Sequence, residues 1–154
     1  MNTTAIRAAT DASAWFERIL RALDRIPFSV LAIPIRLAIA TVFWNSGMTK
    51  LANWETTLAL FVDEYQVPLL PPTLAAYTAA TLELSCPVLL VLGLLTRAAA
   101  ALLLAMTAVI QIFVYPDAWP VHLQWTALML ILIARGPGKL SLDRLIRQAY
   151  RSGS

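Results

Sequence analysis

Charge is what this chain has least of. Asp, Glu, Lys and Arg make up only 14% of its 154 residues, while 59% are apolar. A soluble domain carries about 25% charged and about 45–50% apolar residues. That balance excludes an ordinary soluble globular protein and points to an integral membrane protein. Cysteine is nearly absent. Cys86 stands alone, which excludes an internal disulfide, a CxxC redox pair and a cysteine-built metal cage. Next to Pro87 in an apolar run, it reads as a small buried apolar residue. His122 is the one histidine, so bis-histidine haem ligation is excluded, and Asp117 with His122 makes only a weak metal signal. The five glycines form no phosphate loop, and no nucleotide fingerprint or hydrolase triad is present. No covalent or metal cofactor is therefore expected.

What the chain has instead is four apolar stretches, about 28–48, 73–95, 98–115 and 118–134. The first two meet the roughly 20 residues needed to cross a 30 Å hydrocarbon core, and the last two fall slightly short. Short spans are accommodated by local thinning or by longer neighbours. The expected fold class is all-α, an integral membrane four-helix bundle formed by residues 1–154 as one domain. Thr96-Arg97 leaves so little connection that the second and third spans must be antiparallel neighbours. Pro34 and Pro87 lie inside spans, where neighbouring helices can satisfy the freed carbonyls.

Basic residues set the expected orientation. Arg7, Arg18, Arg21 and Arg25 precede the first span, Arg97 follows the second, and Arg135, Lys139, Arg144, Arg147 and Arg151 follow the fourth. The other side has Lys50 against Glu55, Asp63, Glu64 and Asp117. The positive-inside rule then puts both termini in the cytoplasm, which agrees with an even number of spans. The net charge of +3 anchors topology and touches anionic lipid, so no nucleic-acid partner is implied. Asp11, Glu17 and Asp24 interrupt residues 1–27, which read as an amphipathic cytoplasmic segment rather than a signal peptide. Residues 139–151 read as a second amphipathic helix. Between the first two spans, Trp54, Leu58, Phe61 and Tyr65 recur at helical spacing after a capping Asn53. This interfacial helix and the Pro-rich return behind it form either a lid over a site or a belt of aromatic anchors, and the belt is favoured.

The rare polar residues inside spans carry the functional signal. A carboxylate at mid-bilayer costs several kcal/mol unless neutral, paired or facing water, and Glu83 is such a residue. Counting 1.5 Å per residue from the cytoplasmic ends puts Arg36 at roughly 12 Å and Glu83 at roughly 18 Å. Gln111 and His122 come out near 20 Å, Gln124 near 16 Å and Asn45 near 25 Å on the same count. Different helices thus supply one polar layer, and Arg36 with Glu83 is the expected direct pair. That pair either fixes helix register or belongs to a proton or substrate site. Gln111 and Gln124 read as hydrogen-bonding glue between helices.

Three blocks in fixed order carry a family resemblance. The first span closes with Phe43-Trp44-Asn45-Ser46-Gly47-Met48-Thr49-Lys50. The second runs from Glu83 through Gly93 to Arg97, and the closing segment is Arg135-Gly-Pro-Gly-Lys-Leu-Ser-Leu-Asp143. Together these resemble the DoxX family of small bacterial membrane proteins over about residues 31–145. Asp63 to Pro72 looks like the variety found beside biosynthesis genes for metal-binding modified peptides. The resemblance implies a four-helix bundle in the bacterial inner membrane and, in some relatives, partnership with quinone-linked oxidoreductases acting on sulfur compounds. It matches Arg36, Glu83 and Lys50 to family positions and transfers no catalytic residue. Two functions follow as expectations. In one, the chain is a membrane subunit of an oxidoreductase system, in which the cluster of Arg36, Glu83, Gln111 and His122 binds a quinone headgroup or relays protons. In the other it is a non-enzymatic accessory or transporter beside a peptide-modifying biosynthetic enzyme. One narrow bundle leaves little room for a transport path, so the transporter form of the second would call for a homo-oligomer.

Overall fold

A computed structural model describes residues 15–152 apart from 66 and 69. Among the described residues all regular structure is helical. Residues 15–24 form α1, which is exposed throughout and carries the expected Glu17–Arg21 pair at 3.2 Å. The part of the amphipathic segment over 1–14 lies outside the described residues. Then come α2 (Phe28–Ala52), α3 (Trp54–Leu60), α4 (Pro72–Leu92), α5 (Thr96–Val109), α6 (Trp119–Arg135) and α7 (Leu142–Ser152). Wide π-type turns extend α3 over Phe61–Tyr65 and α5 over Ile110–Val114.

Three stretches are long and apolar enough to cross a bilayer: Phe28–Ala52, Pro72–Leu92 and Thr96–Val114. The fourth, α6, has 17 residues, about 25 Å of helix against a core of about 30 Å. Helix α2 lies mainly against α4, α5 against α6 and α4, and α2 also touches α6. The outside of the bundle is greasy: Leu31, Leu37, Val88, Val91, Leu102, Leu123 and Leu130 are all exposed. Inside, small residues such as Ala32, Ala40, Ala76, Ala99 and Ala100 let the helices approach closely. Ile39, Phe43, Leu90, Leu103, Met129 and Leu132 fill the seam, with Cys86 at 1% exposure among them. Such an inside-out distribution suits a lipid environment.

Element ends differ from the sequence reading in ways that matter for the site. Helix α2 runs four residues past Met48, carrying Lys50 on its last turn instead of in a loop. It ends where Asn53 accepts a hydrogen bond from the Thr56 amide at 3.0 Å, starting α3 as expected. Thr57 then donates to the carbonyls of Lys50 and Asn53, both at 3.0 Å, and ties α3 back onto α2. Helix α4 stops at Leu92 rather than Leu95, because Gly93 takes a left-handed conformation (φ 65°) and ends it.

Leu95 is also left-handed (φ 48°), which for a residue with a Cβ costs about 1–2 kcal/mol. Asp143, 47 and 48 residues further on, supports this turn. Its carboxylate accepts from the amides of Leu95 (2.8 Å) and Thr96 (3.2 Å), and its own amide donates to the Gly93 carbonyl (3.0 Å). A side chain from the end of the chain thus caps α5, a role that local sequence does not reveal. The Lys139 amide donates to Ser29 Oγ at 2.9 Å, so the 136–143 segment tucks beneath the starts of α2 and α5. We call this the terminal end of the bundle, and the end bearing α3 and the α5–α6 turn the far end.

Candidate functional site

Gly47 places the central acid. A Cβ built there would meet Glu83 Cβ at 3.1 Å and Leu84 Cδ2 at 2.9 Å. Glycine therefore lets α4 lie against α2 with Glu83 level with Gly47. One helical turn apart on α2, Ser46 and Lys50 then face the same carboxylate. Lys50 Nζ lies 2.8 Å from both carboxylate oxygens, with its hydrogen bond aimed at Oε1. Ser46 donates to Oε1 at 3.0 Å, and Lys50 also donates to Ser46 Oγ at 3.0 Å. Oε2 shares the ion pair but accepts no aligned hydrogen bond. Glu83 is 1% exposed.

The direct Arg36–Glu83 pair expected from depth counting is not formed; Lys50 takes that place. The reason is an offset between helices. Arg36 Nη1 is the nearest group a Cβ on Gly93 would strike, so Arg36 is level with Gly93. Glu83 is ten residues, about 15 Å, further along α4. Counting had matched Phe28 with Leu95, whereas α2 starts well below that level. Arg36 is instead buried at the terminal end, with Asp143 as the acid acting on it. Its Nε and Nη1 have no hydrogen-bond partner among the described residues.

Above the Lys50–Glu83 pair a cavity of about 780 Å³ opens at the far end. Phe43 and Trp125 stand edge to face in its wall at 5.6 Å, and His122 lies against Trp125 at 5.1 Å. Phe61, Tyr65 and Tyr115 complete the aromatic side, with the two tyrosine hydroxyls 3.0 Å apart. Thus Phe61 and Tyr65, favoured as interface anchors, line the cavity as a lid would. Burial, then the hydrogen bond to Tyr115, raises the Tyr65 pKa, so this phenol stays protonated at neutral pH. Val67, Pro68 and Leu70 of the Pro-rich return reach the same rim.

The remaining sequence candidates divide. Gln111 bridges two elements, its Oε1 2.6 Å from His122 Nδ1 and its Nε2 2.6 Å from the Pro116 carbonyl. Lys50, Glu83 and His122 line the cavity, whereas Asn45 and Gln124 are exposed and do not. The polar layer is therefore two groups rather than one. Sequence reasoning passed over Ser46, although its i, i+4 spacing from Lys50 was a usable signal. Tyr115 gave a signal only as part of the run from Tyr115 to His122, which gathers aromatics, Asp117 and His122 at one end of the bundle.

Helices long and apolar enough to cross a bilayer describe a helical membrane protein, and the mostly apolar cavity floored by the Glu83–Lys50 pair is its candidate small-molecule site. The chain belongs to the DoxX family, whose model matches residues 31–116. It is 32% identical over 142 residues to an uncharacterized protein of Haemophilus influenzae, covering 86% of this chain and 93% of that relative. No solved structure matches.

Proposed function

We propose that this DoxX protein binds the ring of a quinone in the far-end cavity and serves as a membrane subunit or accessory of a quinone-linked oxidoreductase system. The observation carrying this reading is the ammonium of Lys50, held by Glu83 and Ser46 at the floor of an aromatic-walled cavity of about 780 Å³. A quinone is flat and apolar with carbonyl acceptors at its edge, so it needs aromatic walls and one donor of this kind. Family membership and the greasy exterior support four spans in a bacterial inner membrane, with α6 packed against longer neighbours. The basic residues support cytoplasmic termini, which sets the cavity toward the opposite side. The partner on this reading is a dehydrogenase.

The second reading, a non-enzymatic accessory or a transporter for a metal-loaded peptide, meets a physical obstacle in its transport form. Ile39, Phe43, Leu90, Leu103 and Met129 fill the seam between the cavity and the terminal end, so no polar path through one protomer follows. Titrating the protein in lipid vesicles with a short-chain benzoquinone tests the proposal. Saturable quenching of tryptophan fluorescence that Trp125→Phe diminishes is expected. Quenching without saturation, indistinguishable from partition into lipid, contradicts it. Companions isolated from gently solubilised membranes then separate a dehydrogenase partner from a peptide-modifying enzyme.

A further inference from the structure

The hydrogen bonds of Gln111 fix something that neither the cavity nor the family assigns: which nitrogen of His122 carries a hydrogen. The Pro116 carbonyl can only accept, so the end of the Gln111 amide 2.6 Å from it must be the NH₂ group. The opposite end, 2.6 Å from His122 Nδ1, is therefore the carbonyl oxygen. A carbonyl oxygen facing a ring nitrogen at that distance needs a hydrogen between them, so Nδ1 is the N–H. In a neutral imidazole the other nitrogen, Nε2, is then left with a free lone pair. His122 is 5% exposed, and it lines the cavity. Gln111 sits on the wide turn that ends α5, and Pro116 opens the link to α6, so the backbone of this end holds the tautomer.

We infer that His122 presents Nε2 as the hydrogen-bond acceptor for a hydroxyl of the cavity ligand, so that the site selects the hydroquinone over the quinone. The inference rests on the quinone reading of the cavity. Lys50 offers only donors, which suit an oxygen lone pair on either redox form. His122 offers an acceptor, which only the hydroxyl of the reduced form can use. One such hydrogen bond corresponds to about five- to tenfold tighter binding of the hydroquinone. Gln111 acts as a positioning residue, since it reaches the ligand only through the imidazole.

The lone histidine makes this directly measurable, because ¹⁵N-histidine labelling reports one ring. In vesicles under anaerobic conditions, the resting spectrum should show Nδ1 protonated and Nε2 unprotonated. A short-chain benzohydroquinone should shift Nε2 toward a hydrogen-bonded position, and the benzoquinone should leave it in place. Gln111→Leu, which removes the acceptor beside Nδ1, should release the tautomer and let Nε2 carry the hydrogen in part of the population. A resting spectrum with Nε2 protonated overturns the inference. So does a hydroquinone that quenches Trp125 without moving Nε2, which leaves the quinone reading standing. If neither redox form quenches, the cavity reading fails and the ligand half of the inference falls with it.

Discussion

The two ends of this bundle treat a buried charge in opposite ways. At the terminal end Arg36 is buried with Nη1 beside Gly93, and Asp143 locks the neighbouring turn through hydrogen bonds to backbone groups. At the far end Glu83 and Lys50 meet at the floor of an open cavity, and their partners are side chains. The Asp143 carboxylate is committed to the backbone amides of Leu95 and Thr96, whereas Lys50, Ser46 and Glu83 hold one another by side chains that can exchange partners with a ligand. The terminal end therefore reads as a structural knot and the far end as the candidate site. Their separation along α4, ten residues or about 15 Å, makes them open to independent perturbation.

The largest effect is expected from breaking the far-end pair on one side only. Lys50→Met leaves the carboxylate of Glu83 without its cation, and removal of one partner of a buried pair costs about 3–5 kcal/mol. Denaturant titration of the detergent-solubilised protein would measure it, and a loss under 1 kcal/mol on that scale would show that Glu83 does not depend on Lys50. Next comes Gly93→Ala. It places a methyl group at positive φ, within reach of Arg36 Nη1 and 2.6 Å from Ser141 Cβ. Left-handed strain and overpacking together suggest about 2–4 kcal/mol, with quinone affinity unchanged if the ends are independent. Smaller again is Asp143→Ala. Loss of the remote cap on α5 costs about 1–2 kcal/mol, also without effect on quinone quenching. A marked loss of quenching in either terminal-end variant would merge the two regions into one unit.

The fold was largely legible because apolar stretches, prolines and the Asn53 cap are local signals. Cys86 was legible for the same reason. The site was less so. Depth counting assumes that helices begin at one level, and a two-turn offset of α2 exchanged Arg36 for Lys50 as the partner of Glu83. The role of Gly47 in setting that level is a contact between helices, and so is the capping of Leu95 and Thr96 by Asp143. Neither has a sequence period to betray it. Gln111 read correctly as a hydrogen-bonding residue between elements, but its consequence for His122 needed the Pro116 carbonyl in view.

The most direct test of the central claim replaces both members of the far-end pair, Lys50→Met with Glu83→Leu. With no charge left uncompensated, stability should return to within about 1–2 kcal/mol of the parent chain. Benzoquinone quenching should nevertheless weaken at least about tenfold, the equivalent of about 1.4 kcal/mol. A folded double variant that binds the quinone as tightly as the parent would show that the ion pair only holds helices together.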